Sequence, residues 1–402
     1  MDFVLGYLIV LALSGLSYLY LLLLVIFGLI RLRHLDKKRL KRHYNRIDAT
    51  ANNGNLPAVS VVISARNEEH NLPDTLQSLL QQNYPADLLE IIVIDDRSID
   101  RTSEVVEKYS SRSPQIKLLR QTVVTEGFSP KKQALELGIA ASHGEIILTT
   151  DADCTHDPDW VHDMVSCFTP EVGMVAGQAR FVPPKNPPLW QRLQALEFQA
   201  LGYASAGLIT AGKPFHCSGA SLAFRRKLFE EVGGWKGYEH LVSGDDELLM
   251  AKAARSRWKI AASASPRTIV ETRPVSTLKE LWNQRIRWGS KGMYYNFSRK
   301  SVLVGIFLFL VSLMAGPLIG LAAGFTIGSV FWKYWALWVL YRFILDWSAV
   351  SFGCLVFFEK YKFIDFLLTE IIYPPATVAF AIAGHFTSFR WKDQDFRSRG
   401  GG

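Results

Sequence analysis

The stretch Val59-Ser-Val-Val-Ile-Ser-Ala-Arg-Asn-Glu-Glu69 opens with a continuous β-branched run and ends in a polar break. Such a run reads as a buried strand. Leu72, Leu76, Leu79 and Leu80 follow at helical spacing. Working outward, strands are predicted at Glu90–Asp95, Ile116–Leu119 and Glu145–Thr150, and helices over Thr102–Tyr109 and Lys131–Ala141. Alternation of this kind predicts an α/β fold: a Rossmann-like, mostly parallel sheet with helices on both faces. Ligands of such sheets sit beyond the carboxyl ends of the strands. Three polar sets lie there: Arg66/Asn67/Glu68, Asp95/Asp96 and Asp151/Asp153. The first strand–helix turn lacks GxGxxG, and no GxxxxGK[ST] occurs, which argues against a dinucleotide oxidoreductase and a P-loop ATPase. Carboxylates stand where glycines would, so phosphates would be held through a cation.

Beyond this domain the 402-residue chain turns apolar at both ends. Phe3–Ile30 holds no charged residue, and at about 1.5 Å per residue it is long enough to cross a bilayer. A cleaved signal peptide fits poorly, because Met1-Asp2 supplies no basic start and the run is too long. Eight Lys/Arg against the single Asp36 fill Arg31–Arg46, nearly the whole-chain charge of +8. A basic helix for RNA is the rival reading. A flank this close to a span instead sets topology, placing the N-terminus outside and the next domain in the cytoplasm, with no nucleic-acid partner. Residues 47–57 read as a linker. Cys154, Cys167, Cys217 and Cys354 show no zinc or CxxC spacing and read as reduced packing residues. After Ser301 three further spans are the simplest count. That count leaves the C-terminus outside, yet the tail Phe389–Arg399 is modestly basic, which favours inside. A break near Gly316-Pro317, or a segment lying in the interface, would remove the conflict.

Asp151 and Asp153, two apart at a strand end, project the same way and suit Mg²⁺ or Mn²⁺, although a solvated turn has the same pattern. Asp95 and Asp96 could accept from a base or ribose, while Ser98 or Asp100 caps the next helix. Lys131 and Lys132 open a helix, where one could approach phosphates; a solvated lysine is the plain alternative. Asp245-Asp246 begins a helix: capping suits Asp245, leaving Asp246 as the sharper candidate for a general base. On a helical Lys279–Gly289, Gln284, Arg287 and Trp288 share one face and Arg285 points elsewhere. That face suits diphosphate and acceptor contacts, and an amphipathic interfacial helix would look similar.

Taken together, residues 59–69, Val93–Ser98, Asp151-Ala-Asp153, Gly244-Asp-Asp-Glu-Leu-Leu249 and Gln284-Arg-Ile-Arg-Trp288 resemble the family 2 glycosyltransferases of the glycosyltransferase A fold. That family includes cellulose, chitin and hyaluronan synthases and ceramide glucosyltransferases. His216–Arg226 is similar to the family's acceptor-side segment. The resemblance implies nucleotide contacts from Asp95 and Asp96, with Ala65, Arg66 and Glu68 beside them. It implies donor and metal contacts from Asp151 and Asp153, and donor-side roles for Lys131, Lys132 and Asp245. Asp246 would be the base of an inverting displacement, and Gln284, Arg287 and Trp288 the diphosphate and acceptor clamp. The chain departs from the pattern at Ala65-Arg66, where many relatives have Thr-Tyr, and at Asp245, where Glu is usual.

The expected organisation is an anchor (1–31), a basic juxtamembrane segment and linker (32–57), a cytoplasmic glycosyltransferase domain (58–300), about three spans (301–388) and a tail (389–402). The expected activity is transfer from a nucleotide sugar, a UDP-sugar above others, to a lipid or lipid-linked acceptor at the inner membrane. A processive polysaccharide synthase is the alternative, and four spans offer it little material for a channel. A non-catalytic membrane scaffold is the reading from another class, which the intact acidic sets argue against.

Overall fold

The computed structural model describes residues 2–50, 56–289, 297–322, 328–391 and 394–396. Two compact units emerge. One is Gly28–Pro274 with Val356–Phe358; the other joins Met1–Phe27, Val275–Leu355 and Glu359–Gly402.

The first unit is built on a seven-stranded sheet. Its parallel half comprises β1 (Val59–Ala65), β2 (Leu89–Asp96), β3 (Ile116–Gln121) and β4 (Ile146–Thr149). Here β1 lies between β2 and β4, with Ala65 opposite Asp95 and Val62 opposite Thr149. Helices α2 (Leu72–Leu80), α3 (Thr102–Ser110) and α4 (Pro130–Ala141) make the crossovers. The expected alternation is therefore present through β4. After it come α5 (Trp160–Ser166), β5 (Val172–Ala176), β6 (Gln178–Phe181) and α6 (Leu189–Thr210). Then follow β7 (Leu222–Arg225), α7 (Arg226–Val232), α8 (Asp245–Ala253), β8 (Lys259–Ala262) and β9 (Ile269–Thr272). β7 runs antiparallel between β4 and β5, and β8 extends the sheet beyond β5, so the whole is mixed. β6 and β9 form a separate parallel pair.

Strand residues pack against α2, α3 and α5 in a core that includes Val61, Ile63, Leu72, Leu76, Val93 and Trp160. On the other face, a Cβ at Gly138 of α4 would lie 2.5 Å from Ile94 Cδ1, so α4 packs directly on β1 and β2.

The second unit holds helices long and apolar enough to span a membrane. α1 (Asp2–Thr50), whose residues to Phe27 belong here and whose remainder belongs to the first unit, carries the Val4–Asp36 segment, and its helix continues through the basic flank. α10 (Phe297–Ala322), α11 (Gly328–Phe357) and α12 (Phe363–Phe386) are the others. α10 runs unbroken through Gly316-Pro317, so a break there is not the way the topology conflict is removed. Tyr18 of α1 donates a hydrogen bond to Asp346 of α11. Arg342 lies 3.2 Å from that carboxylate and 3.1 Å from the carboxylate of Glu370 in α12.

α9 (Leu278–Gly289) packs on α12 and lies in this second unit. A two-stranded hairpin, β10 (Phe389–Trp391) with β11 (Gln394–Phe396), follows α12, and β10 lies against α9.

Candidate active site

The loops leaving β1 and β2 are fastened to each other by side chain–backbone bonds. Asn67 and Arg97, at the two strand exits, adopt φ of 53° and 55°, a conformation that non-glycine residues seldom occupy. Asn67 N–H donates to Ser98 Oγ (3.1 Å) and Ile99 N–H donates to Asn67 Oδ1 (3.0 Å). Glu68 N–H reaches Thr102 Oγ1 and Glu69 N–H reaches Asp100 Oδ2. Asp100 also accepts from Thr102 N–H, although the cap position of α3 falls on Arg101, one residue later than the sequence suggests.

Within this web Asp95 accepts from Ser98 N–H at 2.9 Å and from the Ser103 hydroxyl. Asp96 accepts from Arg97 Nε and Gln121 Nε2, each at 2.9 Å. Both carboxylates are buried and hold the loops in shape. Arg66 Nη1 lies 3.4 Å from the Asp96 carbonyl, and Glu68 accepts from Asn71 Nδ2. Ala65 departs from its expected role. Its methyl is fully buried among core residues, because the strand period turns it inward, and it offers no side-chain surface to a base.

A second set follows β4. Donor atoms of Asp151, Asp153 and Cys154 lie within 4.8 Å of one another. Thr272 of β9 donates to Asp153 Oδ2, and Thr75 of α2 to the Ala152 carbonyl, fixing the loop from two sides. Burial, with the charges of Asp153 and Asp151, pushes the Cys154 thiol up. The usable donors are therefore two hard oxygens, which fit Mg²⁺ or Mn²⁺ and leave positions for water and phosphate oxygens. Sequence reasoning missed His156, which braces this loop: its ring nitrogens pair with Ser78 and Thr150 hydroxyls, each at 2.9 Å. Burial pushes the His156 imidazole down to about 3.

The third set begins α8. Gly244 at φ 83° forms the turn, so the helix starts at Asp245, and Asp245 is not the cap that the sequence suggests. Trp235 Nε1 donates to the Asp245 carbonyl at 2.6 Å. Asp246 Oδ2 accepts from Gly219 N–H (2.9 Å) and Oδ1 from Glu247 N–H (2.7 Å). Gly219 is tied back to β4, its carbonyl accepting from Thr149 Oγ1. His216 pairs with the buried Glu247 through Nδ1. Glu247 was legible only as a third acid after Asp245-Asp246, and His216 as the start of the segment that supplies Gly219.

The two lysines of α4 separate. Lys131 Nζ lies 2.7 Å from Asp151 and 3.4 Å from Asp245, joining the second and third sets. Burial alone would lower its ammonium, but Asp151 and Asp245 outweigh that and hold it above the ordinary lysine range. Lys132 is fully buried and donates to the carbonyls of Tyr238, Leu241 and Ser243. It supports the loop ahead of α8 and does not face phosphates, which corrects its expected donor role.

In the second unit α9 is helical, as its spacing predicts, with Gln284, Arg287 and Trp288 half-buried. Arg285 does not point away from them. It is buried, with its guanidinium 4.7 Å from the Trp288 ring, since residues three apart on a helix are neighbours.

Residues 60–233 match the family model described as Glycosyl transferase family 2. "Probable glycosyltransferase YdaM" of Bacillus subtilis is 30% identical over 63% of this chain and 62% of its own length. "Beta-monoglucosyldiacylglycerol synthase" of Synechocystis sp. is 28% identical over 59% of this chain and 48% of its own. "Poly-beta-1,6-N-acetyl-D-glucosamine synthase" of Staphylococcus epidermidis is 27% identical over 58% of this chain and 54% of its own. The chain thus spans about half to three fifths of the length of these relatives. Residues 60–233 are thus similar to the family 2 glycosyltransferases, and the mixed seven-stranded sheet with acidic sets at its strand ends is that of the glycosyltransferase A fold.

Proposed function

We propose that the protein is a membrane-bound inverting glycosyltransferase. It moves a sugar from a nucleotide sugar, a UDP-sugar above others, to a lipid or lipid-linked acceptor at the cytoplasmic face of the inner membrane. The observation that carries this reading is Asp246, held by two backbone N–H groups beside the Lys131–Asp151 pair. As the acceptor oxygen bonds to the anomeric carbon, Asp246 takes the hydroxyl proton, and the bond from that carbon to the diphosphate oxygen breaks. The diphosphate leaves with the electron pair. Asp151 and Asp153 would hold Mg²⁺ or Mn²⁺, which supplies charge neutralisation for that leaving group.

Lys131 and Asp245 set the electrostatics between donor and acceptor. Asp95, Asp96, Arg66 and Glu68 shape the nucleotide end. Gln284, Arg287 and Trp288 are assigned to the diphosphate and the acceptor. The lipid acceptor is supported by the name of the Synechocystis relative, and the cytoplasmic placement by the basic residues that follow the first apolar tract.

Transfer from labelled UDP-sugars to extracted lipids by purified membranes tests the reading. Asp246→Asn should cut transfer by about 10²–10⁴-fold with the unfolding temperature unchanged; undiminished transfer would remove Asp246 from its role. The Staphylococcus relative favours a second reading, a polymerising synthase. A ladder of oligomers in place of one glycolipid band would establish it.

A further inference from the structure

We propose, on the reading of Asp246 as the base, that a small cavity beside it receives a second, non-reacting hydroxyl of the acceptor. The acceptor is then a polyhydroxylated headgroup of the glycerol or sugar kind. Gln178 of β6, Gly202 of α6, His216 and Ser218 line the cavity, and Phe198, stacked on Phe181, forms part of its apolar wall. Its volume is about 10 Å³, room for one water-sized group. Ser218 precedes Gly219, whose N–H donates to Asp246, and His216 pairs with Glu247, the residue after Asp246. The cavity thus borders the base, and neither Asp151 nor Asp153 lines it.

The polar groups around this space complement a hydroxyl. Gln178 is 6% exposed, and its Nε2 has no hydrogen-bond partner among the described residues. A buried amide N–H is costly to leave unpaired, so a ligand or water is expected to complete it. Gly202 makes room for the amide, since a Cβ there would lie 2.4 Å from Gln178 Oε1. His216 supplies the opposite polarity. Its Nδ1 donates to the Glu247 carboxylate, so the neutral ring offers Nε2 as an acceptor. A hydroxyl oxygen can accept from Gln178 while its own proton goes to His216. A methylene satisfies neither group.

The guest is not the attacking hydroxyl. The anomeric carbon has to come within bonding distance of that oxygen, and a cavity of this size has no room for both. One hydroxyl here and another at Asp246 require two on the same headgroup. The donor sugar is the other source of hydroxyls. An inverting base, however, works on the face opposite the leaving group, which puts its surroundings on the acceptor side.

Three probes with chains of equal length separate the sources: 1-dodecanoylglycerol, dodecyl β-glucoside and dodecanol. Each is titrated into the full-length protein in a non-glycosidic detergent, and binding is read from the rise in unfolding temperature. The glycerol or the sugar probe should stabilise the unsubstituted protein, and the one that does so names the headgroup; dodecanol should not. Gln178→Leu should weaken that binding by about tenfold or more and leave UDP-glucose binding as it was. Its own unfolding temperature should not fall, because the N–H it removes has no partner. Gly202→Ala is the second variant. Its methyl displaces only the flexible end of Gln178 and favours the helix, so it should fold and show the same loss. Equal probe binding by all three proteins, binding of neither polyol, or equal stabilisation by dodecanol would overturn the inference. Loss of UDP-glucose binding in place of probe binding would do the same. None of these readouts needs transfer, so an inactive protein with Gln178-dependent probe binding would count against the transferase reading alone.

Discussion

Lys131 and Lys132 are the same residue type at the first turn of one helix, and the fold assigns them opposite surroundings. Lys132 Nζ meets three loop carbonyls, so Lys132→Met would leave buried acceptors unpaired. A loss of about 2–4 kcal/mol in denaturant titration is expected. Lys131→Met should instead leave stability nearly unchanged and slow transfer. The lost ammonium sits 2.7 Å from an Asp151 oxygen, so Mn²⁺ affinity without nucleotide should also rise by about tenfold, read by calorimetry. Unchanged Mn²⁺ affinity would mean that the carboxylate is not a metal ligand. The sequence placed both lysines near the site but could not separate them, because the carbonyls that capture Lys132 lie more than a hundred residues away. His156 was illegible for a similar reason: its partners Ser78 and Thr150 lie on other elements. It makes a pH prediction. Unfolded histidine titrates near about 6.5, whereas folded His156 titrates at about 3. Between those values the unfolded chain binds a proton that the folded chain does not. Stability from His156 is thus complete above about pH 6.5 and falls as the pH drops toward 3. His156→Gln should flatten that decline in thermal unfolding.

Among the elements, those that carry the first two acidic sets were readable. β1, β2 and β4 are β-branched runs, and each ends at a polar set named from sequence. β5, β7 and β8 were not. Each is four or five residues long and, unlike β4, none ends at a polar set that marks it, and β7 gains its place by antiparallel pairing with distant partners. That omission mattered, because the turn before β7 contributes the Gly219 N–H that fixes Asp246. α8 depends on Gly244 in the same way, since a side chain at φ 83° clashes with its own backbone. Gly244→Ala should cost about 1–2 kcal/mol. It should lower kcat more than that loss of folded protein explains, because Asp246 follows two residues later. A kcat unchanged relative to folded protein would show that the turn only caps the helix.

At the scale of the whole chain, the apolar tracts were plain in the sequence, while their pairings were not. Hydropathy gives the length of a helix but not its neighbours. Arg342, Asp346 and Glu370 looked like interruptions of apolar runs; in the structure they meet one another and Tyr18 inside the second unit. Arg342→Met would leave two carboxylates facing each other without a cation. A loss of about 3–5 kcal/mol, seen as a lowered unfolding temperature in detergent, is expected. Arg342→Lys should restore part of it, and an unchanged temperature for Arg342→Met would show that the cluster contributes nothing to assembly. The Tyr18–Asp346 bond also has a consequence in time. The two residues are 328 positions apart. At about 5–20 residues per second, Asp346 emerges from the ribosome on the order of half a minute after Tyr18. Throughout that interval Tyr18 has no Asp346 to bond while the residues between them are made, and the second unit is closed only among the last acts of synthesis.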